Sequence, residues 1–160
     1  MTVEQRIPYS LLLLRTGVFI VMFVWTLDKF VNPDHTAKVY EFYFWVGGLG
    51  GTVFYAIGAL ELILVTAFLA GAFKRLTYGI VLLLHAVSTL AAWRLYLDPF
   101  SNLLFFAAWP MLAACVTLYL LRDLDTLWAI PAGTHPVSQV RGAPSRQAEE
   151  GPAGRAGKSG

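Results

Sequence analysis

The sequence predicts an all-α integral membrane protein, a four-helix bundle with a C-terminal tail that is either disordered or held by a partner. Three observations carry this. Of 160 residues, 57% are hydrophobic and only 14% charged, against about a quarter charged in soluble domains. The shortfall is uneven, since residues 42–121 hold only Glu61, Lys74, Arg75, Arg94 and Asp98. Turn signals divide the apolar part into stretches of about 20 residues, the length a helix needs to cross a bilayer. A soluble enzyme, a nucleic-acid-binding domain and a disordered chain are excluded for residues 1–130. The net charge of +2 gives no basis for a nucleic-acid partner.

The first span is predicted at residues 9–27. It resembles a signal peptide in its charged start, but its apolar run has no small-residue cleavage site, so it reads as a retained span. A polar segment follows at residues 28–41, with Asn32-Pro33-Asp34 as a turn and helix start. Residues 42–51 are aromatic, then glycine-rich. Their Gly47 and Gly51 stand four apart, as in close helix packing or as in a loose helix entry. The second span is expected at residues 52–72, and the short basic link through Lys74 and Arg75 makes it a hairpin with a third at 76–95. Asp98-Pro99 turns the chain into a fourth span at 103–121, which Pro110 should kink because it lacks a backbone donor.

Residues 131–160 contain six Gly, four Pro and three Ser. This low-complexity tail cannot bury enough apolar area to offset its ordering entropy, so order there requires a partner surface. Arg6, Lys74, Arg75 and Arg122 fall on one side of the four spans, and Lys29, Lys38 and Arg94 on the other. The basic side is the cytoplasmic one, which places both termini in the cytoplasm. Cys115 is the lone cysteine, so a redox role needs a bound cofactor or a partner. No metal-ligand pattern is present.

Three ionisable residues fall inside spans: Arg15, Glu61 and His85. Such groups are costly in hydrocarbon unless paired or functional. Counted from the cytoplasmic ends at ~1.5 Å per residue, they lie about 10, 16 and 13 Å deep. The expectation is a direct Arg15–Glu61 pair with His85 beside it. That cluster either fixes helix register or lines a polar pocket that holds a quinone head group and exchanges its protons. Ser88 and Thr89 share the His85 face. A haem would want a second axial ligand, and His35 and His135 lie outside the spans. Trp25 and Lys29, at the far end of the first span, read as interfacial anchors.

These residues together resemble the DoxX family of small four-span bacterial membrane proteins, over about residues 11–122. The likeness rests on Leu-Leu-Leu-Leu-Arg15-Thr-Gly17, followed by Trp25 and Asp28-Lys29-Phe30. It rests also on Gly58-Ala-Leu-Glu61-Leu, with Gly71 ten residues on and Lys74-Arg75 closing the hairpin. The resemblance implies a four-helix fold in the bacterial inner membrane and an association with quinone-linked sulfur or thiol redox chemistry. Arg15 and Glu61 stand at the family's intramembrane charges. The chain has no electron-donor site of its own, so a catalytic role needs a second subunit. Two functions are expected: a membrane subunit of a quinone-linked redox assembly, or a non-catalytic accessory subunit of a respiratory or photosynthetic complex. In both, lipid and other subunits are the partners, the latter through residues 131–160.

Overall fold

The structure, a computed structural model, describes residues 2–130; the tail predicted at 131–160 lies outside them. The described chain is all-helical. Helix α1 runs Val3–Val31, α2 Pro33–Phe44, α3 Gly51–Leu69, α4 Lys74–Ala91, α5 Trp93–Tyr96 and α6 Ala108–Leu120. A 3-10 turn, Leu103–Ala107, leads into α6.

Three stretches are long and apolar enough to cross a membrane: Val3–Val31, Gly51–Leu69 and Leu103–Leu120. Helix α4, where the third predicted span falls, is not among them. Lys74 and Arg75 open it, and Thr77, Tyr78, His85 and Thr89 occupy its buried side. Its outward side is Leu76, Leu83, Val87 and Leu90. The polarity of a soluble helix is inverted, as expected where the outer solvent is hydrocarbon.

Helix α1 lies along α3 and α4 along α6, while α3–α4 and α1–α6 contacts join the two pairs into a ring. The core is Leu11, Val18, Phe68, Tyr78, Val81, Cys115 and Leu118, with Phe68 and Tyr78 edge to face at 4.9 Å. Helix α2 packs on α1 and α3 at one end. The polar segment at residues 28–41 is thus mostly helical, its second helix starting at the expected Asn32-Pro33-Asp34. Asn32 ends α1 by donating to the Asp28 carbonyl, and Pro33 takes the first position of α2, where its missing N–H costs nothing.

Local backbone chemistry explains three further features. Pro110 lies in the first turn of α6, where it is tolerated. The expected kink is replaced by the change from 3-10 to α-helix just before it. Gly47 precedes α3 and faces the Glu41 side chain, while Gly51 opens the helix against Pro33, so the pair is a helix entry. Close helix approach occurs instead at Gly58, where an added Cβ would fall 2.9 Å from the Phe30 ring and 3.2 Å from Lys29 Cβ.

Gly71 makes the α3–α4 turn with φ +61°, and an added Cβ would stand 2.7 Å from Ala129 Cβ and 2.8 Å from Arg15 Nη1. The chain beyond α6 returns over this turn, and Ile130 N donates to the Ala70 carbonyl at 2.9 Å. Gly71→Ala is expected to destabilise the fold by about 1–3 kcal/mol, from overpacking and left-handed strain. Gly17→Ala, at a helical glycine with open space around it, should be neutral or stabilising by up to about 1 kcal/mol. Thermal unfolding in detergent, followed by circular dichroism, compares the two.

Candidate functional site

The intramembrane ionisable residues separate into three groups, each with its own partners. The pairing expected between Arg15 and Glu61 is not the one formed.

Arg15, fully buried, makes an ion pair with Asp125, also fully buried, at 2.9 Å. Its Nη1 also donates to the Tyr78 hydroxyl at 3.3 Å, and its Nη2 to the carbonyls of Leu127 (2.7 Å) and Trp128 (3.3 Å). Tyr78 in turn donates to Asp125 Oδ2 at 2.6 Å, and Lys74 Nζ donates to the Asp125 carbonyl. One guanidinium therefore joins α1, α4 and the chain after α6, with Gly71 of the α3–α4 turn pressed against it. Arg15 Nε and Asp125 Oδ1 have no protein partner.

Glu61 pairs instead with Lys29, at 2.8 Å. Thr26 Oγ1 lies 3.4 Å from the same carboxylate oxygen, and Lys29 Nζ also donates to the Trp25 carbonyl at 3.4 Å. Lys29 is turned inward at 7% exposure; it is not the interfacial anchor expected of it. Trp25 is half exposed on the outside of α1. In α2, burial pushes the Tyr40 hydroxyl up from its ordinary value, and the nearby Glu61 carboxylate pushes the same way.

The register of α1 against α3 explains the exchange of partners. Arg15 is level with Gly71, and Glu61 lies ten residues back along α3, about 15 Å away. Lys29 is fourteen residues beyond Arg15 on nearly the same face of α1 and rises to the level of Gly58. Each cation takes the acid at its own depth. Asp125 escapes a reading of the sequence because it follows the last apolar stretch. Its signal was the need of a buried Arg for an acid at its own end of the bundle. Tyr78 stands two turns before His85 on the same face of α4, a spacing that was readable.

His85 forms the third group. Its Nε2 is 3.1 Å from the Ala108 carbonyl, which can only accept, so that nitrogen carries the proton. Ser88 and Thr89 both donate to the His85 carbonyl, at 2.9 and 2.7 Å, and Tyr96 donates to the Thr89 carbonyl at 3.0 Å. The Tyr96 ring packs against Phe106 and Trp109. His85 thus bonds within α4 and to the start of α6, apart from the two ion pairs.

An apolar depression of about 440 Å³ opens between α3 and Ile130, lined by Leu62, Thr66, Ala67 and Ala72 among others. None of Arg15, Glu61 and His85 lines it. The arrangement can hold helices in register, and at His85 it can offer a hydrogen bond. Comparison with protein families, with curated proteins and with solved structures finds no match for this chain.

Removing one member of a buried pair leaves the other charge uncompensated, at a cost of about 3–5 kcal/mol. Asp125→Ala is expected to lose that much, and Arg15→Met with Asp125→Leu should recover at least half. Glu61→Gln should cost less, because Lys29 and Glu61 keep 9% and 16% side-chain exposure. Denaturant titration in micelles measures all three.

Proposed function

We propose that this chain is a membrane-embedded accessory subunit of a larger complex, and that its buried charges act as structural ties. The observation that carries this reading is the closure of both buried ion pairs within the chain, Arg15–Asp125 and Lys29–Glu61. Each pair joins elements far apart in sequence, which is what a register lock requires. In this reading the protein has four spans, α4 being the fourth membrane-crossing helix. It resides in the bacterial inner membrane with both termini cytoplasmic. The resemblance to DoxX proteins and the basic residues at the Arg15 end support that placement. Residues 131–160 would contact other subunits of a respiratory or photosynthetic assembly.

A second reading has its own support. A DoxX-like subunit of a quinone-linked redox assembly would hold the quinone head group at a polar intramembrane residue. Of Arg15, Glu61 and His85, only His85 stands outside an ion pair; its Nε2 meets the Ala108 carbonyl at 3.1 Å and lies 3.4 Å from Thr89 Oγ1. Quinone would then be an exchangeable ligand, and the electron donor would belong to another subunit.

Purification of the tagged chain from native membranes separates the two. The accessory reading expects a stable complex whose quinone reduction is unchanged by His85→Ala. The redox reading expects the same complex with that activity lost. Deleting residues 131–160 should reduce co-purification severalfold while leaving the unfolding midpoint of residues 1–130 unchanged. If the chain purifies alone from native membranes, the accessory reading fails.

A further inference from the structure

Arg94 differs from the other cations that meet the helices. It follows α4, in the short helix α5, at the end of the molecule opposite Arg15. Its guanidinium carbon lies 5.4 Å from the centroid of the Trp45 ring and 5.6 Å from that of Trp93. Among the described residues no carboxylate pairs with it; the ion pairs there belong to Arg15, Lys29, His35 and Arg122. Asp98, four residues on, does not reach it.

The indole contact is built by the backbone. Trp45 takes a left-handed conformation, φ 54°, at the end of α2, unusual for a bulky residue. Two hydrogen bonds hold it there, Trp45 N to the Glu41 carbonyl at 3.1 Å and Val46 N to the Tyr40 carbonyl at 3.4 Å. Trp93 adds the second indole from the start of α5, next to Arg94 in the chain. Both indoles are half exposed or more, and Leu97 and Phe100, which follow in the chain, are at 74% and 87%.

A guanidinium near two indoles and without a carboxylate partner has N–H donors left for an anion. The surrounding exposed aromatic and aliphatic side chains suit the boundary between head groups and acyl chains. The anion that completes such a site is one that arrives with its own apolar tail. We infer that Arg94, Trp45 and Trp93 bind the phosphodiester of an anionic phospholipid. The guanidinium edge takes the phosphate oxygens, and the indoles, Leu97 and Phe100 lie against the glycerol and upper acyl chain. The inference rests on the membrane placement proposed above, and it adds a specific lipid partner at one corner of the fold.

The full chain, reconstituted in vesicles of equal parts phosphatidylglycerol and phosphatidylcholine and then extracted in mild detergent, is analysed by native mass spectrometry for bound lipid. The wild-type chain should retain phosphatidylglycerol about fivefold over phosphatidylcholine, as one interfacial Arg contact provides. R94Q should lose that preference. R94K, which keeps the charge without the planar fork, should keep part of it, and W45L should lower it without changing net charge. Excess inorganic phosphate should leave the bound lipid in place. Equal lipid retention by wild type, R94Q and W45L overturns the site. Displacement of the lipid by inorganic phosphate overturns the assignment to a phospholipid. Should R94Q fail to fold, R94K and W45L carry the comparison. If the wild-type chain does not enter these vesicles, the membrane placement itself fails and the lipid site falls with it.

Discussion

A guanidinium in the middle of an apolar protein has few acceptable states, and the rest of this structure is arranged around the one that Arg15 takes. It cannot shed its proton, and its charge is expensive in hydrocarbon. Asp125 supplies the counter-charge, Tyr78 bridges the two, and two carbonyls from the returning chain take the remaining fork. To bring those acceptors in, the chain after α6 must fold back over the α3–α4 turn. That approach leaves no space for a side chain at residue 71, and glycine stands there.

The second tie lies nearer the other end, where Lys29 meets Glu61 and Gly58 lets Phe30 approach α3. Two ion pairs hold α1 at two levels, one to α3 and one to the chain after α6, and so fix its axial register and its rotation, which apolar contacts alone fix weakly. Apolar residues outside such a protein gain nothing by leaving lipid. Specificity therefore comes from the few polar groups inside. This division of labour supports a scaffold role, with His85 a polar corner that stands outside the ties.

The membrane class was legible in composition because it depends on a sum over many residues. The α3–α4 hairpin was legible because Gly71-Ala-Phe-Lys74 is short and basic. The buried residues Arg15, Glu61 and His85 were found by their cost in a span, but their partners were not. Pairing by depth depends on where each helix starts, and α1 begins at Val3 rather than at residue 9. Arg15, twelve residues into that helix, is level with the α3–α4 turn, so α1 overhangs the end of α3 and depths counted from the two helix ends do not compare. Lys29 was read by the preference of lysine for interfaces, a preference its contact with Glu61 overrides. The Asp125 contact is set by a fold-back of an aperiodic segment, which carries no pattern to read.

Arg15 and Asp125 stand 110 positions apart, and this separation bears on how the protein is made. Synthesis at about 5–20 residues per second leaves the first helix in place for several seconds before its acid leaves the ribosome. During that interval the arginine must be sheltered by water, by lipid head groups or by the insertion machinery. Lys29 and Glu61, both in the first half of the chain, meet earlier and can hold α1 against α3 while the rest follows. A chain cut short before residue 125 keeps a naked cation within its helices. Membrane quality control thus has a chemical sign by which to tell a finished molecule from an unfinished one.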